Sequence, residues 1–236
     1  EIFNKFLEKI SSLSHLDIYT SCEAMSEQAE YIRDGLNFKN WQARIETLMQ
    51  QGGYRHLHMM LTINSLCLFS LPEFLDLMVQ WKEKYGIERA PLWTLNILRF
   101  PSFMSALVLP ADLRQERHQA LQIWVKKNKS NPVISESELG TVERLVDYLD
   151  VVQTPHKASS AHEDLERDFK NFFVQYDQRR GKKLIQTFPL LKNWFESIDP
   201  QPFSYQQDWV DGDSTKGWHN EIELHYLAKR MGINYE

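Results

Sequence analysis

The sequence predicts an α/β fold: about three parallel strands alternating with helices, followed by a purely helical extension. Three observations carry this. Leu57, Met59, Leu61 and Ile63 alternate at the period of a strand, and Leu92, Thr94, Asn96 and Leu98 alternate in the same way with Trp93, Leu95, Ile97 and Arg99. Amphipathic stripes closed by Gly52, Gly53 and Gly86 separate these strands. Beyond Pro132 the strand period disappears and only helical stripes remain.

Taken in order, Ile2, Phe3, Phe6, Leu7 and Ile10 fall at helical spacing, which predicts the last turns of a helix packed beneath the strand that follows. Ser11 to Ser14 connects them. Leu16, Ile18 and Tyr19 read as the first strand, broken by the polar turn Thr20, Ser21, Cys22 and Glu23 before a helical run that carries Glu27, Glu30, Tyr31 and Arg33 to Gly35. Phe38, Trp41, Ile45, Leu48 and Met49 make the next helix. The second strand spans Tyr54 to Asn64, with His56, His58, Met60 and Thr62 on its other face, where the apolar Met60 is compatible with cover on both sides. Leu71, Phe74, Leu75, Leu77, Met78 and Trp81 form a helix opened by Pro72. The third strand ends against Pro101, since proline cannot continue a buried ladder. Pro110 and Asp112 then open a long helix with Leu113, Leu121, Ile123, Trp124 and Val125.

Strands separated by helices pair in parallel through right-handed crossovers. Three of them leave a sheet with unpaired edges on both sides, which points to missing partner strands. Lys126 to Pro132 is a compositional boundary. It divides the chain into 1–130, a helical extension over 131–198, and a loop-rich tail over 199–236 with a short helix around Leu224 to Met231. Within the extension, one stripe runs from Val142 to Val152, another from Leu165 to Tyr176, and a third from Leu184 to Phe195 is interrupted at Pro189.

Composition narrows the function. With 27 Lys and Arg against 32 Asp and Glu, the net charge of −5 leaves no electrostatic footprint for duplex nucleic acid or an anionic membrane. No window has the roughly 18 consecutive apolar residues of a membrane span, and no basic-then-apolar leader opens the sequence, so a cytoplasmic protein is the expectation. Two cysteines, Cys22 and Cys67, are too few for a disulfide framework or a Cys-based zinc site. There is no Gly-x-Ser-x-Gly elbow and no glycine-rich phosphate loop, which removes the hydrolase and nucleotide-triphosphate readings.

Polar residues at the carboxyl ends of strands are where α/β sheets meet ligands. Ser21, Glu23 and Arg33 offer hydroxyl and anion recognition there, with helix capping and a solvated helix face as the alternative. Asn64 and Asn96 are polar residues in apolar strands and need a partner, either a capped loop or a ligand. His56 and His58 share a strand face, which suits a metal, but no carboxylate or third histidine accompanies them at a fixed spacing, so a surface pair is the expectation. Asp177, Arg179, Arg180, Lys182 and Lys183 form a charged patch near Gly181, explained by a helix end or by an anion site.

Three of these pieces occur in a telling order: Ser21, Glu23, Arg33 and Gly35 after the first strand, Thr62-Ile63-Asn64 at the end of the second, and Asn96 to Ser102 after the third. That order resembles the carboxyl-terminal half of a radical S-adenosylmethionine (radical SAM) enzyme with a shortened, twitch-type extension, over about residues 1–130 and more loosely to about 198. The resemblance implies the carboxyl-terminal part of a partial (β/α) TIM-type barrel, with S-adenosylmethionine and a [4Fe–4S] cluster as cofactors. In such enzymes the cluster reductively cleaves S-adenosylmethionine, and the adenosyl radical abstracts hydrogen from substrate. By resemblance, Ser21 and Glu23 would meet the ribose, Arg33 the methionyl carboxylate, and Thr62 and Asn64 the ribose or amino-acid portion. Asn96, Arg99 and Ser102 would face the substrate. The family's C-x-x-x-C-x-x-C loop and its auxiliary-cluster cysteines are absent. The expectation is therefore a piece whose amino-terminal half-barrel lies upstream or on a partner chain, inactive alone, or a member that has lost the chemistry. The alternative is a non-catalytic α/β and helical module whose aromatic-rich second half binds a protein.

Overall fold

A computed structural model describes residues 2–10, 12, 13, 15–150 and 159–199 of the chain. Three parallel strands, β1 (Asp17–Ser21), β2 (His56–Ile63) and β3 (Leu92–Ile97), lie side by side in chain order. The register sets Asp17 opposite His56, Ser21 opposite Met60, Met60 opposite Thr94, and Thr62 opposite Asn96. The expected parallel α/β arrangement is thus present. Right-handed crossovers that always step to the next strand place their helices on one side of the sheet.

The helices show this directly. α1 (Ile2–Ile10) precedes β1; α2 (Ser26–Ile32) and α3 (Phe38–Gln51) join β1 to β2; α4 (Leu71–Tyr85) joins β2 to β3. Trp41 on α3 donates its indole N–H to Thr20 on β1 at 3.2 Å, and its ring packs against Phe74 and Trp81 of α4, with centroids 6.1 Å away in each case. Thr20 shares its sheet face with Leu57, Met59, Leu61 and Ile63, all buried. Along β2 the other residues, His56, His58, Met60 and Thr62, are exposed or half-buried, although β2 is the central strand. One face is therefore core and the other is open, so Met60 is not covered as its apolar character allowed.

Local signals set the boundaries. Asn37 caps α3 by accepting from the Asn40 N–H at 2.9 Å, and α3 stops at Gly52, whose φ of +68° suits glycine. α4 carries Pro72 in its first turn and ends at Gly86 with φ of +85°. α2 ends at Ile32, earlier than the run to Gly35 suggested, because Arg33 turns to extended backbone as its side chain reaches back to Glu23.

The remaining helices are α5 (Ala111–Asn128), α6 (Glu136–Leu149), α7 (Ser159–Arg180), α8 (Leu184–Thr187) and α9 (Lys192–Ser197), with a 3-10 turn over Pro189–Leu191 where Pro189 interrupts the last stripe. α6 lies along the outer edge of β3: Glu138 accepts from the Trp93 backbone N–H at 3.2 Å. That edge is occupied, contrary to the expectation of two open edges, and only a long-range contact could have revealed it. α7 reaches from the segment after β1 to the loop after β3, since Phe173 packs on Tyr31 at 6.1 Å and Phe172 on Phe103 at 5.4 Å. Among the described residues no helix is long and apolar enough to cross a membrane. Val152, the tail from residue 200 and its helix around Leu224 lie outside the described residues.

Candidate functional site

The three loops at the carboxyl ends of the strands are tied to one another. Met25, after β1, donates its backbone N–H to Ser70 Oγ at 2.9 Å; Ser65, after β2, donates to the Met104 carbonyl at 2.9 Å; Leu98, after β3, donates to the Ile63 carbonyl at 2.9 Å. This network brings Ser21, Asn64 and Arg99 to the same end of the sheet.

The segment after β1 carries a salt bridge. Arg33 Nε donates to Glu23 Oε1 at 3.0 Å and Arg33 Nη2 to Oε2 at 2.6 Å, a two-pronged geometry that matches the planar fork to the carboxylate. The Glu23 side chain is 4% exposed and that of Arg33 33%. Burial pushes the Glu23 carboxyl above its ordinary range even against the pull of Arg33. The more exposed guanidinium also loses hydration, but the Glu23 carboxylate outweighs that loss and holds its protons more firmly than usual. Both Glu23 oxygens are thus engaged within the chain. Glu23 thus holds Arg33, whose Nη1 is left over, and the ribose contact that the resemblance assigned to Glu23 falls to the lone pairs these bonds leave. Neither residue caps α2, because the N-cap position is Met25, with no side-chain cap.

Asn64 is 7% exposed, and its Oδ1 accepts from the Leu66 N–H at 2.9 Å and the Cys67 N–H at 3.2 Å, so its acceptor side shapes the 3-10 turn Cys67–Phe69. The capped loop is its acceptor's partner; the amide NH2 is the part still able to meet a ligand. Ser21 is half-buried and Thr62 exposed on the open face, where Asn96 is the register neighbour of Thr62. Arg99 lies over the Tyr148 ring of α6 at 5.8 Å. Ser102 is exposed at the start of a 3-10 turn.

Both cysteines are fully buried. Burial raises the Cys22 thiol to about 11 and the Cys67 thiol well above its usual value, so both are protonated thiols at neutral pH when no metal is bound. Two such thiols do not fit a [4Fe–4S] cluster.

Elsewhere the structure reassigns candidates. The charged patch near Gly181 is used to dock α7 on α2. Lys182 Nζ donates to the Glu30 carbonyl at 2.6 Å and pairs with Asp34 at 3.1 Å, Arg180 also pairs with Asp34, and Asp177 accepts from the Tyr31 hydroxyl at 2.6 Å and from the Leu184 N–H at 2.7 Å. The reading as an anion site loses those groups. At the opposite, amino end of the strands a cavity of about 280 Å³ is lined by His56, Glu88, Ser135 and the buried pair Lys82 and Glu138. This pair had no local signature, as its members are 56 positions apart. His56 and His58 do have a carboxylate beside them: Asp17, supplied by the neighbouring strand and therefore invisible to spacing along β2.

Among the described residues the architecture is that of an α/β protein with a three-stranded parallel sheet, open on one face, whose strand-end loops are hydrogen-bonded to one another and whose first loop carries the half-buried Glu23–Arg33 pair. No family model, curated protein or solved structure matches this chain significantly.

Proposed function

We propose that this chain is the carboxyl-terminal part of a radical SAM barrel, orienting S-adenosylmethionine and substrate for radical chemistry. The observation that carries this reading is the sheet itself. Parallel strands in the order β1-β2-β3, helices on one face and a polar-lined open face are what a section of barrel wall looks like from inside. The edges add direction. α6 occupies the outer edge of β3, so further strands would join at β1, the side from which the chain enters.

In this reading Arg33, aimed by Glu23, presents its remaining N–H groups to the methionyl carboxylate; the Ser21 and Thr62 hydroxyls and the Asn64 amide NH2 meet the ribose and amino-acid portion; and Asn96, Arg99 and Ser102 lie on the substrate side. The cluster chemistry belongs to cysteines outside this chain, on an upstream half-barrel or a partner, because Cys22 and Cys67 do not fit it. When bound, the cofactor supplies the radical, and this chain supplies binding and orientation.

The test is titration of S-adenosylmethionine into the protein that carries both halves. Arg33→Ala is expected to weaken binding by about 1.5 to 3 kcal/mol, the scale of a hydrogen bond to a charged group, with the cluster spectrum unchanged. Equal affinities for wild type and variant would refute the assignment.

A further inference from the structure

The open face of the sheet carries a second cluster, at the amino end of the strands and away from the Glu23–Arg33 pair. Asp17 on β1 and His56 and His58 on β2 place one ligand atom each within 4.8 Å of one another. The backbone explains the convergence. His56 and His58 are two residues apart and so project from the same face, and Asp17 is the register partner of His56 on the adjoining strand, about 4.8 Å away across the ladder. All three donors stand on hydrogen-bonded strands, so the sheet fixes their spacing.

Neighbouring side chains orient each donor. Arg55 Nε donates to Asp17 Oδ1 at 2.9 Å and its Nη2 also pairs with Asp17, which fixes the carboxylate beside the histidines. His56 Nδ1 lies 3.1 Å from Asp17 Oδ1. The His58 ring stacks on Tyr19, centroids 4.5 Å apart and planes 12° from parallel. Oriented, hydrogen-bonded supports of this kind are what surround ligands in metal sites. Bonds of about 2.1 Å in tetrahedral geometry separate ligand atoms by about 3.4 Å. The widest pair, at up to 4.8 Å, must therefore close by at most about 1.4 Å, within the reach of half-exposed side chains.

We propose that Asp17, His56 and His58 form a binding site for a divalent transition-metal ion of the zinc class. Two imidazoles and one carboxylate are the donor set that such ions prefer over calcium or magnesium, and three protein ligands leave one position for water. Bound there, the ion links β1 to β2 on the open face. Arg55 compensates the carboxylate charge, so the affinity rests mainly on the two imidazoles.

The experiment is a calorimetric titration of zinc chloride into the tag-free full chain, with cobalt(II) absorption as a second probe and thermal melting as the third. Wild type is expected to bind one ion at this site and to melt higher with zinc than without. His56→Ala/His58→Ala leaves the Asp17–Arg55 pair intact, so it should match the metal-free wild type in melting temperature, and it should lose at least tenfold in zinc affinity together with the zinc-induced shift. If wild type binds no zinc, or the double variant binds and melts as wild type does with zinc, the assignment is overturned. If the double variant proves less stable without metal, its zinc affinity and its melting shift relative to its own metal-free form decide, retained affinity and shift again refuting the site.

Discussion

Replacing Lys82 by Met is expected to destabilise the protein by about 3 kcal/mol, the lower part of the range for breaking a buried ion pair. Lys82 Nζ donates to both Glu138 oxygens at 2.6 Å, the two side chains are 1% and 4% exposed, and the ammonium stands 4.4 Å from the centre of the Trp93 ring. Removing the cation leaves a buried carboxylate. Three donors soften that loss: the Trp93 N–H at 3.2 Å, the Ser135 N–H at 2.9 Å and the Ser135 hydroxyl at 2.8 Å. Glu138→Gln is the harsher change, because it leaves the ammonium without a counter-charge and turns an amide N–H toward it. The double variant Lys82→Met/Glu138→Gln should recover to within about 1 to 2 kcal/mol of wild type, giving a favourable coupling in the cycle. Burial lowers the Lys82 pKa even beside Glu138, and without that carboxylate it must fall further. Folded Glu138→Gln then carries neutral Lys82 at pH values where the unfolded chain still binds the proton. The unfolded state holds more protons, so stability of this variant rises with pH, by up to about 1.4 kcal/mol per unit, until the pH reaches the unfolded lysine value near about 10.4. Urea denaturation followed by tryptophan fluorescence at pH 7 and 9 reads both effects. A loss below about 1 kcal/mol for Lys82→Met would refute the claim that this pair is desolvated.

Asn64→Ala should cost about 2 kcal/mol, since it strips the acceptor from the Leu66 and Cys67 N–H groups in a buried turn, and thermal melting would show a loss of several degrees; an unchanged melting temperature would mean water replaces the side chain. Tyr31→Phe removes the hydroxyl bonded to Asp177 and should cost about 1 kcal/mol while loosening α7 against α2, measurable as faster amide exchange in α7. Cys22 and Cys67 should resist an aromatic disulfide reagent at pH 8 and react together once urea unfolds the chain; rapid native reaction of either would contradict their burial.

What could be read from the sequence was what is local. Leu57, Met59, Leu61 and Ile63 mark the covered face of β2 by alternation alone, and Gly52 and Gly86 stop helices because their backbone needs positive φ. The carboxyl-end placement of Ser21, Asn64 and Arg99 followed from the same strand-then-helix grammar. What escaped depends on partners far along the chain. Glu23 and Arg33 each looked available to a ligand, and only the fold shows that they take one another. His56 lacked a carboxylate on its own strand because register, not spacing, supplies Asp17. The basic residues around Gly181 read as a helix end or an anion site because Asp34 and the Glu30 carbonyl, their partners, lie across the interface with α2. Glu138 closes a capping box with Ser135 at the start of α6, and its second and third duties, to Lys82 and to the rim of β3, have no sequence pattern.

Those duties bear on how the chain is made. Glu138 follows Trp93 by 45 residues, so a ribosome adding about 5 to 20 residues per second delivers the cover of the β3 rim roughly 2 to 9 seconds after the strand itself. During that interval the newly made strand offers its backbone to any neighbour, including the same strand on the next ribosome of the polysome. Arrival of α6 ends the exposure with one side chain that serves as helix cap, ion-pair partner and rim cover, so slowing translation between β3 and α6 lengthens the time in which nascent chains can pair with each other.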